Sequence, residues 1–478
     1  MLTLLFLCSG VLYTQFGDID NTLGTGGTFR IRTATDSFFT VRQSTGNVSL
    51  FRNLELGAIT NSTPTRGMIT KNGIRFIHNR GTTISQENTF IGLEAGSLTF
   101  GAAGSLRNAS VGYRSLYSLI DGLSNSAFGT EALRSNTYGD YNSVFGYQSL
   151  YSNTTGSNNS AFGPSSLYTN TSGNDNSAFG REALYSNTTG NSNSAFGYQS
   201  LYSNTDYWNS AFGYQSLSSN TTGSSNSAFG RNSLSSNTTG NSNSAFGRNS
   251  LSSNTTGYGN TGIGHYALHS STGNNNTVLG DSAGINITTG SNNIAIGYNA
   301  QVPSGSSSNQ IRLGNTSTTY AGIEVAWTVT SDRRYKDNIT PIALGLEFIS
   351  KLNPVSYHRK NDESKKTEYG LIAQEVEQVL KELGIENHAM LTVTDEGMYE
   401  LRYNDLIAPM IKAIQELKVQ SDQLENEKDI DIAKLKGENE IQEPRITQLE
   451  LQLNEVLKVV NKLKNKQDDV KNVNLGEK

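Results

Sequence analysis

Apolar and polar positions divide the chain into three patterns. From Phe16 to about Gln86, short runs such as Thr28-Phe29-Arg30-Ile31-Arg32 and Phe38-Phe39-Thr40-Val41-Arg42 alternate with Gly, Asn and Ser clusters, which predicts short strands joined by turns. Then an apolar residue followed by glycine recurs from Gly112 to Gly314 at steps of 17, with two steps of 16, and Gly92 reads as an earlier copy. Beyond Ser331 the spacing turns helical over Ile342 to Leu352 and Gly370 to Leu383, and Tyr399 to Tyr403 reads as a strand. From Ile407 onward apolar residues alternate steps of three and four.

The repeat registers assign a task to each position. The residue before the glycine forms a row that includes Phe128, Phe145, Phe162, Phe179, Phe196 and Phe212. A second row four residues after the glycine includes Leu133, Leu150, Leu167, Leu184 and Leu201. Two apolar positions in 17 residues cannot close a core within one repeat, so the repeats must stack, with the Phe and Leu rows as the buried strip. Seven residues after the glycine stand Asn136, Asn153, Asn170, Asn187 and Asn204, as a rule followed by Thr and then Gly. Stacked Asn at a turn can bond its own backbone and its copies on adjacent coils. One 16-residue repeat carries Asp206-Tyr207-Trp208 where its neighbours carry Thr-Gly and two further residues, so the deletion falls in the turn. Tyr147, Tyr151, Tyr168, Tyr185, Tyr198, Tyr202 and Tyr214 flank the Gly and Leu rows and suit either stacking on sugars or a partner, or covering the coil itself.

Ile407, Met410, Ile414, Leu417 and Leu424, and later Ile446, Leu449, Leu453, Val456, Val460 and Leu463, have the spacing of a coiled-coil seam. Pro444 and an irregular register between Glu427 and Glu440 predict two helical segments with a break.

Composition supports a turn-built architecture: hydrophobic residues are 35%, charged residues 17%, and 48 residues are glycine. A net charge of -5 leaves no electrostatic footprint for nucleic acid. The single cysteine, Cys8, has no intrachain disulfide partner. Residues 1–15 are apolar and read as a candidate signal peptide without a basic leading region, and no run elsewhere is long enough for a membrane span. No cofactor and no metal are expected.

Chemistry concentrates at Ser331-Asp332-Arg333-Arg334-Tyr335-Lys336, where a serine and a candidate base stand five residues apart. Lysine takes a serine proton only when burial or nearby positive charge favours its neutral form, and Arg333 and Arg334 are placed to help. By spacing alone the signal is weak. However, S-D-x-R-x-K-x-x-I, ending at Ile339, is followed by Glu368-Tyr369-Gly370-Leu371-Ile372-Ala373-Gln374-Glu375. The two motifs together resemble the C-terminal intramolecular chaperone domain of endosialidases and phage tail fibres, the peptidase S74 family.

That resemblance implies a self-cleaving Ser-Lys pair: Ser331 as nucleophile, Lys336 as general base, the bond between Thr330 and Ser331 as the one cut, and Asp332, Arg334 and Ile339 as motif supports. The repeats look like the head repeats of trimeric autotransporter adhesins. The expected fold is mainly β: a candidate signal peptide (1–15), a β-rich region (16–87), a 17-residue β-solenoid shaft (88–316), a connector (317–330), a small α+β chaperone domain (331–418), and a coiled coil with tail (419–478).

The expected function is a homotrimeric tail-fibre-like or surface adhesin, extracellular, on a cell surface or virion, with a glycan or protein receptor. Its only expected enzymatic activity is to cut itself. Alternatives are a polysaccharide depolymerase fibre, against which the shaft shows no repeated carboxylate pair, or an ice-binding solenoid, for which the rows of Ser, Thr and Asn speak.

Overall fold

The computed structural model describes the backbone of residues 28–32, 37–42, 48–50, 68–71, 74–78, 87–97 and 106–473, and side chains over 74–78, 87–97 and 106–467. The candidate signal peptide, with Cys8, lies outside the described residues. The chain forms two compact units, residues 1–272 and 273–478. That boundary falls within the repeats, and each unit contains repeat coils.

In the first unit the strands Thr28–Arg32, Ser37–Arg42 and Val48–Leu50 pair antiparallel, as the alternating runs predict. A second hairpin, Met68–Lys71 with Ile74–His78, pairs antiparallel onto Thr89–Ile91, the first of a stack of parallel three-residue strands. Arg75 donates to the carbonyls of Glu94 and Gly96 at 2.9 and 2.6 Å, and His78 Nε2 lies 2.8 Å from the Ala95 carbonyl. The hairpin thereby closes a sheet edge that would otherwise offer unpaired amides.

Each later coil contributes one strand, such as Ser160–Phe162, Ser177–Phe179 and Ser194–Phe196, paired without register shift. Strand side chains alternate between faces. The middle residue therefore points inward, and Ala161, Ala178 and Ala195 have no exposed surface. This corrects the expected core. The Phe row lies on the outer face, partly exposed, with consecutive rings stacked at 4.5–4.8 Å. A narrow coil has room inside for Ala or Val at this position, and the larger ring is left to stack on its copies.

The Leu row is buried as expected: Leu133, Leu150, Leu167, Leu184 and Leu201 are all fully buried. Each turns the chain in the left-handed region, with φ of 51° at Leu167 and 52° at Leu184, a conformation that costs roughly 1–3 kcal/mol and needs the stack to hold it. The repeat glycine is demanded by contact as well as by φ. At Gly180, with φ of 141°, a Cβ would lie 2.5 Å from the Gly197 carbonyl oxygen of the next coil.

Two columns of buried Asn complete the interior. In the expected one, Asn153 Nδ2 donates to Asn136 Oδ1 at 2.7 Å, Asn170 to Asn153 at 2.9 Å and Asn187 to Asn170 at 2.8 Å. The other, four residues before each glycine, has both the backbone N and Nδ2 of Asn142 donating to Asn125 Oδ1 at 3.0 Å, and Nδ2 also to the Gly156 carbonyl. Copies above and below thus satisfy amides that would be costly to bury alone. The 16-residue coil keeps the second column, because the Asn209 amide donates to Asn193 Oδ1 at 3.0 Å, but it interrupts the first: Asn204 Nδ2 donates to the Asp206 carbonyl and not to Asn187, and among the described residues Asn187 Oδ1 is left buried without a partner. Strand register passes through it unbroken, Ser194 opposite Ser210.

The second unit opens with the parallel strands Thr277–Leu279, Ile294–Ile296 and Ile311–Leu313, whose inward column reads Val278, Ala295, Arg312. The connector follows. Although Tyr320 to Val329 is rich in β-branched and aromatic residues, it forms no strand, and Tyr320, Val325, Trp327 and Val329 are exposed, since a lone extended segment has no ladder partner.

Helix α1 (Leu346–Lys351), a hairpin of Val355–Tyr357 with Glu368–Gly370, helix α2 (Ala373–Glu382) and a hairpin of Leu391–Val393 with Tyr399–Leu401 then build the expected small α+β fold. Its core is Phe348, Val376, Val379, Leu380, Met390 and Leu406.

Helix α3 runs from Ile407 to Val473. Near its start Ala413 is buried and Glu416 accepts a 2.6 Å bond from the Leu346 amide, which holds the Glu416 carboxyl below the usual range. A lowered folded-state value means that this docking is favoured above the ordinary carboxylate range and lost as pH falls through the lowered value. The expected break at Pro444 is absent, and the helix passes through it. An internal proline removes one backbone bond and strains the preceding turn, a cost the rest of a long helix outweighs here. The seam residues Ile414, Leu453 and Val456 are 64%, 60% and 58% exposed along a single helix. Among the described residues, no helix is long and apolar enough to cross a membrane.

Candidate self-cleavage site

Local hydrogen bonding explains the fold of the S-D-x-R-x-K motif. The Asp332 carboxylate accepts from the Arg334 amide at 2.8 Å, capping a 3-10 turn over Arg333–Tyr335, and also takes the Arg334 guanidinium at 2.7 Å. This pairing holds the Asp332 carboxyl below its ordinary range and raises Arg334. The turn ends at Lys336, whose amide donates to the Arg333 carbonyl at 3.1 Å. Reversing the chain in this way brings the two ends of the motif together, and Lys336 Nζ lies 2.7 Å from Ser331 Oγ.

The structure thus unites Ser331 and Lys336 and assigns Asp332 and Arg334 to the turn between them. It also revises one electrostatic expectation. Arg334, the arginine of the motif, is engaged by Asp332 rather than turned to the lysine. Ser331, Lys336 and Thr330 are exposed, and Ile339 is 55% exposed.

The second motif plays a different part. Gly370 ends a strand where a Cβ would meet the Tyr403 hydroxyl at 2.5 Å, and the Leu371 amide donates to that hydroxyl at 2.9 Å. From Ala373 the chain enters α2, which buries Val376, Val379 and Leu380 in the core. One motif therefore presents a hydrogen-bonded Ser–Lys pair on an exposed turn, and the other builds the domain.

Residues 331–385 match the family model described as the chaperone of endosialidase, peptidase S74. The segment is a peptidase S74 chaperone domain. The match begins at Ser331 and spans both motifs. No curated protein and no solved structure matches the chain.

Beyond the matched residues, the chaperone domain holds the repeat coils of its own unit by contacts the sequence reading missed. The Asp395 amide donates to the Pro303 carbonyl at 2.8 Å, and Asp395 Oδ2 accepts from the Gly305 amide at 2.8 Å. Arg312, standing in the inward column, places Nη2 2.5 Å from Glu400 Oε1 and donates through Nε to the Gln301 carbonyl. The visible signal was the arginine itself, since an inward column of Ala and Val that ends in Arg marks where the core stops. In a double-mutant cycle of Arg312→Ala and Glu400→Ala, followed by urea unfolding, a coupling of about 1 kcal/mol or less is expected, shrinking with added salt. Zero coupling at low salt would remove the clamp.

Proposed function

We propose that the chain is the subunit of a homotrimeric, extracellular fibre of tail-fibre or surface-adhesin type. Its C-terminal domain gathers three chains and then leaves by cutting the Thr330–Ser331 bond. The observation that carries this reading is the 2.7 Å contact between Lys336 Nζ and Ser331 Oγ at the first residue of the S74 match.

In this mechanism the neutral Lys336 amine takes the Ser331 hydroxyl proton as Oγ attacks the Thr330 carbonyl carbon. The C–N bond breaks, and the Ser331 nitrogen takes up the proton and becomes a free amine. The resulting ester between Thr330 and Ser331 Oγ is hydrolysed by water, which leaves a carboxylate at Thr330 and restores the serine hydroxyl. A lysine serves this way when burial or positive charge favours its neutral form. The pair is exposed in a single chain, so packing of the other two chains around the connector supplies the burial and ties cutting to assembly.

The benefit is kinetic. Shafts with many non-local contacts fold slowly and expose edges on the way, and a seam on α3 raises the local concentration of the three chains. Once the chaperone is gone, an unfolded shaft has lost its registering device, so the mature fibre is held by a barrier to unfolding.

The test of assembly is Leu453→Lys combined with Val460→Lys, read by analytical ultracentrifugation. Like charges on the seam are expected to abolish trimers and leave most of the chain insoluble. Soluble trimers from that double variant would place assembly elsewhere in the chain.

A further inference from the structure

In a repeat shaft each position has copies that show what the fold needs, and a departure that serves no neighbour points outside the fold. The Asn204–Asn209 turn departs most. In its two outward columns the neighbouring coils carry Asn174, Asn191 and Ser224, then Asp175, Ser192 and Ser225, where this coil carries Tyr207 and Trp208. The backbone is the same: φ is 58° at Trp208, 57° at Ser192 and 58° at Ser225. The Trp208 amide donates to the Asn191 carbonyl and the Ser225 amide to the Tyr207 carbonyl, so both aromatics sit between those coils.

The fold gains little from the exchange. In the first column a side-chain oxygen accepts the backbone amide of the previous coil, as Asn174 Oδ1 does for Ser157 at 2.8 Å and Asn191 Oδ1 for Asn174 at 2.6 Å. A tyrosine ring cannot offer that oxygen to Asn191. Trp208 is 66% exposed, and its ring lies 5.9 Å from that of Tyr207 at 49°. By contrast Tyr151, Tyr168, Tyr185 and Tyr202 stack on one another at 5.1–5.2 Å and serve the coil.

We propose that Tyr207 and Trp208 form a contact site for a neutral polysaccharide chain, which rests on the reading of the fibre as receptor-binding and names the receptor's chemistry. Aromatic faces with a polar edge suit the C–H faces of pyranose rings. The adjoining turns, residues 187–192 and 220–225, contain Asn, Thr, Ser and Gly and offer hydroxyl and amide partners, while the carboxylate of Asp206 in the same turn, which accepts from the Tyr207 amide at 2.9 Å, disfavours an anionic polymer. The same columns hold Tyr141, in the position of Trp208 and four coils before it, and Tyr258, in the position of Tyr207 and three coils after it, 59% and 52% exposed. At ~4.8 Å per strand these lie about 19 and 14 Å away along the stack, a spacing that a linear polymer reaches and a single sugar does not.

The test uses the full chain in native gels cast with dextran, mannan or galactan. Tyr207→Asn with Trp208→Ser restores what neighbouring coils carry, so its melting temperature is expected to stay with the parent. The parent is expected to be retarded by at least one polysaccharide, and the double variant to lose about tenfold or more in affinity. No retardation of the parent in any gel, or equal retardation of both proteins, overturns the site.

Binding of the labelled proteins to a panel of bacterial cells separates this from the broader reading. Parent and variant binding equally, or binding abolished by protease treatment of the cells, leaves a receptor-binding fibre and rejects the polysaccharide site. A parent that binds no cells rejects the receptor reading, and gel retardation that is lost in the double variant then still upholds the polysaccharide site.

Discussion

A chain carrying Ser331→Ala is expected to keep its full-length mass under denaturing conditions, whereas the parent separates into a piece ending at Thr330 and a piece beginning at Ser331. The alanine removes the attacking oxygen and nothing else of size, so folding and trimer formation should persist. Lys336→Ala should give the same uncut chain. Lys336→Arg is the sharper variant, because it keeps charge and reach, yet a guanidinium does not give up its proton. Thr330→Val should still be cut, since that residue lends only its carbonyl.

Asp332→Ala falls between these outcomes. It removes the cap and the Arg334 pairing that order the turn, so cutting should slow without stopping. The carboxyl is held below its usual range, so the clamp is intact above the ordinary carboxylate value and opens only as pH falls through the lowered one. Intact-mass spectrometry over a time course reads all five variants. Cutting that survives Ser331→Ala would end the catalytic claim and leave assembly as the domain's role.

The second large effect belongs to the shaft. Leu184→Asp is expected to destroy it, since the side chain is fully buried between Leu167 and Leu201 and a carboxylate there finds no cation. Even Leu184→Ala should cost about 2–5 kcal/mol through lost contacts and a cavity. Phe179→Ala should cost less, because its ring is partly exposed and mainly loses stacking on Phe162 and Phe196, at 4.7 and 4.6 Å, worth about 0.5–1.5 kcal/mol per pair. Limited proteolysis and thermal melting distinguish the two. If Phe179→Ala proved as damaging as Leu184→Ala, the Phe face would have to be covered in the assembled fibre.

These two positions show what the sequence made legible and what it did not. Period, turn and deletion site could be read because Gly, Asn and the Phe–Gly step recur at fixed intervals, and the Leu row is buried where the spacing placed it. The strand interior was misassigned because hydrophobicity ranks Phe above Ala, whereas geometry decides the matter: in a three-residue strand the middle side chain faces one way and its neighbours the other. The Asn125 column was missed as a buried feature because burial of an amide makes sense only once its copies are stacked above and below it. At the junction, Ser331 and Lys336 were legible from the motif. The role of Arg334 was not, because whether an arginine tunes a lysine or grips an aspartate depends on a turn that spacing alone does not show. The tie between Glu400 and Arg312 spans 88 residues and leaves no local pattern.

The Asn columns also make solenoid length a matter of counting. From Asn136 to Asn187 and again from Asn204 to Asn254 successive coils present the same amides upward and downward, so a tandem duplication of one 17-residue unit there would slide in between two existing coils without altering either interface, and loss of one would heal the same way. Each event moves the tip by about 4.8 Å, the spacing of adjacent strands, and leaves the cross-section unchanged. The coil that closes at Asn209 with 16 residues keeps strand register and gives up one link of the first Asn column, so an imprecise recombination is tolerated when the error falls in the turn. Slippage between near-identical repeats in the gene would thus translate into a ruler-like series of solenoids whose lengths differ in small, equal steps, with no refolding problem to solve.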